Sequence, residues 1–282
     1  MRKIHLKSYS KINLFLKVSK KLKNQNLHNI QSLVFLTNLS DDIFIKKSEK
    51  KKDIITFKGR FCNYVNKDIN SVNKSIYLLK KKGLIKKNNF YKIVIKKNIP
   101  VFSGMGGGSS NAATIISYFL KNKKLLKKNI NYFCKHLGSD LRLFFNNKKI
   151  LQRNLNNVVS YKNQKKYYFV VVYPFFKSST KEIYSKLRSF DKLKHINFSN
   201  SKFMNKIRNE KNSLEKVVIS KYPRIRKILN ELKLIKNCQF SRITGSGSAC
   251  FGLFLNKKHG TLGLGLIKKK FPKFWCVLCK TI

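Results

Sequence analysis

The stretch Pro100-Val-Phe-Ser-Gly-Met-Gly-Gly-Gly-Ser-Ser-Asn-Ala-Ala-Thr114 constrains this chain more than any other. It holds four of the 13 glycines, Gly104, Gly106, Gly107 and Gly108, and two of the three alanines, Ala112 and Ala113. Lys, Asn, Ile and Phe flood the remainder, so small residues persist where bulk is excluded. Successive glycines are expected to take φ > 0 and to bring backbone close to a ligand. Directly after them Ala112, Ala113, Ile115, Ile116, Phe119 and Leu120 recur at helical spacing. The glycines therefore feed a helix over 110–122, for which Ser109 or Ser110 is the expected cap. A glycine loop opening a helix presents backbone N–H groups and the positive dipole end, a site suited to phosphate.

Two familiar phosphate loops are excluded. No Gly-Lys-Ser/Thr follows at Walker spacing. Reading from Gly104 gives Gly-x-Gly-x-x-Ser, with Ser109 where the dinucleotide fingerprint needs a third glycine. A flexible linker would not run straight into an amphipathic helix.

With 282 residues, 42% of them hydrophobic, the chain can build one large domain or two small ones. Its longest apolar run, Tyr167 to Phe176, contains Pro174 and is too short to span a bilayer. The opening Met1-Arg-Lys-Ile-His-Leu-Lys lacks the apolar core of a signal peptide, so a cytoplasmic protein with no membrane partner is expected. Sixty-three Lys+Arg against 11 Asp+Glu give a net charge of +52. Such charge ordinarily argues for nucleic acid. Here the lysines run along the whole chain beside excess Asn, Ile, Tyr and Phe, all read from A/T-rich codons. Coding bias accounts for the charge without a specific nucleic-acid partner. Cys276-Val-Leu-Cys279 is a lone CxxC in an apolar tail, read as buried free thiols, and no metal site is expected.

In order, Ser8 to Val18 alternates as a half-buried strand. A loop with Asn24 to His28 follows, then strands at Leu33–Thr37 and Asp42–Lys46 with a turn over Asn38–Asp41. A strand is expected at Asp53–Lys58, a helix at Asn70–Lys82 and a strand at Tyr91–Lys96. Beyond the glycine loop come helices over 110–122 and 128–137, a short strand at Leu141–Phe145 and a weakly patterned connection over 146–166. Tyr168–Tyr173 reads as a central strand. Helices follow at Thr180–Leu187, Ser213–Ser220 and Tyr222–Ile235. A strand at Cys250–Leu255, a helix over 261–270 and a strand over 274–280 complete the reading, which is α+β.

Three islands stand together: Ser10-Lys11-Ile12-Asn13-Leu14, Gly104–Thr114, and Thr244-Gly-Ser-Gly-Ser-Ala249, with Leu137-Gly138-Ser139-Asp140 between the last two. In this order and spacing the chain resembles the GHMP kinase superfamily. Within it the chain is most similar to the branch that phosphorylates a cytidine-diphosphate-linked polyol for isoprenoid precursors. The likeness runs nearly end to end, and Gly-Gly-Gly-Ser-Ser-Asn-Ala-Ala is its most specific string. It implies a two-lobed fold with the active site in the cleft between lobes. Residues 1–150 would form the ATP-binding lobe and 151–282 the substrate lobe.

By that resemblance ATP, accompanied by Mg²⁺, lies on Pro100, Val101, Phe102, Ser103, Gly104, Met105, Gly106, Gly107, Gly108, Ser109 and Ser110, with Asn70 beside the adenine. Lys11 and Asp140 are the implied catalytic pair. Asn13, His28, Thr180, Tyr184, Gly245, Ser246 and Gly247 are the implied substrate residues, His28 reading the cytosine edge and Tyr184 stacking on the base. Leu27 stands where the family has tyrosine, and Phe102-Ser103 where it has two glycines. A monomer or homodimer is expected.

Residue chemistry points the same way independently. Phosphoryl transfer needs a phosphate cradle, a positive charge and a carboxylate for the acceptor's proton. Asp140 is the one acid between Asp68 and Glu182. A serine hydrolase is disfavoured because no Gly-x-Ser-x-Gly elbow exists. The remaining alternatives are a homoserine or mevalonate type of the same superfamily, which has no use for a cytosine pocket, and a basic nucleic-acid binder.

Overall fold

The computed structural model describes residues 3–22, 27–120, 126–145, 148–194 and 203–282. The chain divides into two compact units, one of residues 1–10, 39–101 and 106–147, the other of 11–38, 102–105 and 148–282. Both draw on β1 (Ile4–Lys21) and β2 (His28–Lys47). The chain continues with β3 (Ile54–Lys58), α1 (Ser71–Lys81), β4 (Tyr91–Lys96), α2 (Gly107–Leu120) and α3 (Lys127–Leu137).

In the first unit Asp42–Lys47 of β2 pairs antiparallel with β4, and β3 lies parallel to β4. Period two decides which side chains enter the core: Ile93 and Ile95 of β4 are buried while Lys92 and Lys96 are exposed. They meet Ile43 and Ile45 of β2, Val72, Ile76 and Leu79 of α1, and Ala112, Ile115 and Ile116 of α2. Each large aliphatic side chain so buried contributes about 1.5–3 kcal/mol. Asn70 starts α1, its side chain accepting from the N–H groups of Val72 and Asn73 at 3.0 and 2.9 Å.

The second unit adds β5 (Lys149–Gln152), β6 (Val158–Ser160), β7 (Tyr168–Tyr173), α4 (Thr180–Ser185), α5 (Phe203–Asn209), α6 (Glu215–Lys221), α7 (Arg224–Leu234), β8 (Ser241–Ile243), β9 (Cys250–Phe254), α8 (Lys257–Lys270) and β10 (Trp275–Lys280). Ser32–Phe35 of β2 pairs with β5, and β5 with β6. A separate antiparallel sheet runs β10-β7-β9-β8. Its inner strand β7 is the apolar run read as central. Among the described residues no helix is long and apolar enough to cross a membrane.

Four expectations are corrected. Asn38–Asp41 is not a turn, because β2 runs through it. Asp41 is a core residue whose carboxylate accepts from the Asn98 and Ile99 N–H groups at 2.7 and 2.9 Å, so the segment stays extended. Leu141–Phe145 is not a strand but part of a 3-10 helix, Ser139–Phe144. Leu141, Arg142 and Leu143 are buried consecutively, which a half-exposed strand cannot do. The connection over 146–166 contains β5 and β6, too short to leave a pattern; its residues 146 and 147 lie outside the described residues. The last helix begins at Lys257, four residues early, capped by Asn256 accepting from the His259 N–H at 2.9 Å. Its glycines allow close packing: a Cβ at Gly260 would come within 2.8 Å of Leu278. The helix read over 110–122 is described to Leu120, and 121 and 122 lie outside the described residues.

Candidate active site

In the first unit the glycine island becomes a helix start. Gly106 has φ +72° and α2 begins at Gly107, so Gly107 and Gly108 are its first turn. Only Gly104 and Gly106 of the four take the left-handed region. The Ser110 N–H donates to the Gly106 carbonyl at 2.9 Å. The N–H groups of that first turn point out along the helix axis, the arrangement that receives a phosphate.

The expected serine cap is not formed. Ser109 and Ser110 lie inside the helix, and the Ser110 hydroxyl accepts from Ser8 at 2.7 Å. Small size at Gly107 has a packing cause, since a Cβ there would stand 3.1 Å from Ile99 and 3.3 Å from the Lys97 Nζ. Gly108 is open by contrast, with only the Ser71 hydroxyl at 3.6 Å.

Beneath this turn lies a polar network that sequence reasoning missed. Lys97 pairs with Asp41, and both are buried. Asn111 accepts from the Lys97 ammonium at 3.0 Å, donates to Asp41 at 3.0 Å and to Ser8 at 2.9 Å. Asn111 belongs to the most specific string. Asp41 sat in an apparent turn and Lys97 was one lysine among dozens, so neither left a signal.

Asp140 is half-buried at the start of the 3-10 helix that packs on α2 and α3. Gly138, at φ +108°, ends α3 and turns the chain into it. Cys134 lies nearby; burial raises its thiol pKa, opposed by Arg142. Asn70 is committed locally: besides capping α1, its amide donates to the Asn66 and Lys67 carbonyls at 3.1 and 3.0 Å.

The second unit gathers Lys11, Asn13, Phe102–Met105 and the third island. The Lys11 ammonium, buried, donates to the Asn13 side chain. Lys11 N–H donates to the Met105 carbonyl at 3.0 Å. The Asn13 N–H donates to the Thr244 hydroxyl at 3.1 Å, and its amide to Ser32 at 2.8 Å. Two glycine turns interlock here. A Cβ at Gly104 would fall 2.0 Å from the Thr244 carbonyl oxygen, and one at Gly245 would fall 2.9 Å from both the Gly104 oxygen and the Lys11 Nζ. The Gly245 carbonyl accepts from Asn212 at 2.8 Å, and Ser246 meets Thr180 at 3.0 Å.

Lys11 is thus a buried member of a built cluster. Thr244, Ser32 and Asn212 join it unforeseen; only Thr244 lay in a flagged island. Met105 points into the core, and Phe102 takes φ +59°, a backbone conformation that favours glycine. Pro100 is buried, Val101 and Ser103 close the turn, and Gly247 has φ +75°.

His28 and Tyr184 also meet in this unit, ring centroids 5.7 Å apart. Of the loop before His28, 24–26 lie outside the described residues. Cys276 and Cys279 are free thiols in β10, and burial pushes their pKa values to about 11 and about 12. Among the described residues no group of three or more His, Cys, Asp or Glu could hold a metal ion. A groove of about 590 Å³ along α8, floored by Ile235, Leu262 and Leu266, contains none of the expected site residues.

Models of the GHMP kinases N terminal domain and the GHMP kinases C terminal match residues 63–142 and 181–262. The 4-diphosphocytidyl-2-C-methyl-D-erythritol kinase of Pelagibacter ubique is 36% identical over 285 residues, spanning 100% of both chains. A crystal structure of a 4-(cytidine 5'-diphospho)-2C-methyl-D-erythritol kinase superposes with a TM-score of 0.74 at 19% identity, covering 98% of this chain and 99% of its own. The homoserine kinase of Cytophaga hutchinsonii follows at 0.73 and 17%, covering 100% and 95%. These two structures establish the α+β GHMP kinase fold; the sequence match over the whole chain goes further. The chain belongs to the GHMP kinases, on the branch of the 4-diphosphocytidyl-2-C-methyl-D-erythritol kinases, and is a small-molecule kinase that uses ATP.

Proposed function

We propose that this kinase transfers the γ-phosphoryl group of ATP to a hydroxyl of 4-diphosphocytidyl-2-C-methyl-D-erythritol, in the cytoplasm, as a monomer or homodimer. The observation that carries the substrate reading is the 36% identity with the Pelagibacter ubique relative, which extends over the whole of both chains. Fold alone would not choose, since the homoserine kinase superposes almost as well.

In this reading the first turn of α2 receives the ATP phosphates, with Gly106–Ser110 lying along them and Pro100–Met105 lining the nucleotide. Asn70, its side-chain groups already engaged, serves the adenine by fixing the start of α1. The substrate hydroxyl attacks the γ-phosphorus, the bond to the β,γ-bridging oxygen breaks, and ADP leaves. Asp140 accepts the hydroxyl proton. Lys11 stabilises the charge on the transferring group, held on line by Asn13.

Mg²⁺ fits as an ion carried in on the nucleotide phosphates, because among the described residues no group of three or more His, Cys, Asp or Glu forms a resident cage. Bound there it would neutralise phosphate charge. Residues 1–150 carry the nucleotide side and 151–282 most of the substrate side. Asn13, Thr180 and Gly245–Gly247 hold the polyol diphosphate, and His28 with Tyr184 receives the cytosine.

Incubation with ATP and Mg²⁺ and a panel of 4-diphosphocytidyl-2-C-methyl-D-erythritol, homoserine and mevalonate tests this. A phosphorylated product from the first alone is expected. Phosphorylation of homoserine or mevalonate instead would refute the substrate assignment.

A further inference from the structure

Phe190 completes an aromatic corner with His28 and Tyr184. Its ring stacks on His28, centroids 5.3 Å apart at 20°, while Tyr184 lies tilted at 35°. Phe190 is 40% exposed, an apolar ring kept at the surface. Between α4 and Lys194 the chain has no helix or strand, so other bonds set where this ring stands. The Asp191 N–H donates to the Val18 carbonyl at 2.8 Å, and its carboxylate accepts from the Val18 N–H at 3.3 Å and from the Ser213 hydroxyl. The Lys194 carbonyl accepts from Gln31 at 2.8 Å. The segment is clamped to β1 and β2 on the far side of Phe190. Neighbouring Leu27 is exposed and offers no ring.

His28 is held from a second direction. Its Nδ1 lies 2.9 Å from the Ser19 carbonyl oxygen. A carbonyl only accepts, so Nδ1 carries the proton, and in the neutral imidazole Nε2 keeps its lone pair.

We infer that Phe190 is a specificity-determining residue, one that locks His28 in the orientation that selects cytosine over uracil. This rests on the base pocket proposed above. The stacked ring keeps the imidazole from turning away from Ser19, so Nε2 stays an acceptor. At the position where cytosine presents an amino donor, uracil presents a carbonyl acceptor. A fixed acceptor bonds the first and repels the second. An imidazole released from Phe190 can turn, present an N–H, and tolerate uracil. Phe190 thus acts through His28, as a positioning residue.

The test compares kcat/KM for the cytidine substrate and its uridine counterpart in wild type, Phe190→Ala and Phe190→Tyr. Wild type is expected to prefer cytidine. Phe190→Ala should lose about ten-fold or more of that preference with KM for ATP unchanged. Phe190→Tyr, which keeps the ring, should retain it. A purely structural role would lower both substrates together and leave the ratio alone. An unchanged ratio in Phe190→Ala, or a wild type indifferent to the base, overturns the inference while leaving the kinase reading intact. A wild type that phosphorylates neither substrate overturns that reading and this inference with it.

Discussion

At the scale of single residues, the glycines of one island do different jobs. Gly104 has φ +77° and its missing Cβ would overlap the Thr244 carbonyl oxygen, so both backbone and space demand glycine. Gly108 is helical, exposed, and meets only the Ser71 hydroxyl. Gly108→Ala should therefore hold or raise the melting temperature, because alanine gains up to about 1 kcal/mol over glycine inside a helix. Gly104→Ala should lower it sharply. Thermal melts of the two variants check this, and equal losses would contradict the distinction. The run of glycines was legible in the sequence, but which of them has no room for a Cβ was not, because at Gly104 that room is taken by Thr244, far away in the chain. Lys11 teaches the same point. Its place in Ser-Lys-Ile-Asn singled it out, while its burial against Asn13 follows only from the fold.

At the scale of elements, strong periodicity was legible and short or polar segments were not. The alternating β4, the apolar β7 and α1 with Asn70 ahead of it stand where the residues indicate. The 3-10 helix bearing Asp140 reads as a strand because its burial comes from packing on α2 and α3 rather than from its own pattern. Strand β2 reads as two strands because Asn38–Asp41 has turn composition; tertiary bonds to Asp41 override it. That carboxylate accepts from two backbone N–H groups, from Asn111 and from Lys97. Asp41→Ala strands the buried Lys97 charge beside the first turn of α2, and removing one partner of a buried pair costs about 3–5 kcal/mol. Urea unfolding should show a loss of that size with an unchanged m-value. A loss under about 1 kcal/mol would mean that water already reaches the pair.

At the scale of the whole molecule, 63 basic residues face 11 acids. Like charges that cannot be paired repel one another across the folded surface. Raising NaCl from about 20 to about 300 mM should therefore raise the melting temperature, since the Debye length falls to below about 10 Å. A melting temperature that fell with salt would show net stabilising ion pairs instead. Against that background a single acid, Asp140, is assigned the proton of the substrate hydroxyl. The most direct measurement is kcat of Asp140→Asn at saturating ATP and 4-diphosphocytidyl-2-C-methyl-D-erythritol, beside calorimetric binding of both. The substitution keeps size and hydrogen bonding but removes the base. Binding should survive while kcat falls by roughly 10²–10⁴. A wild-type kcat in Asp140→Asn would contradict the mechanism, leaving the family fold without the catalytic assignment made for it.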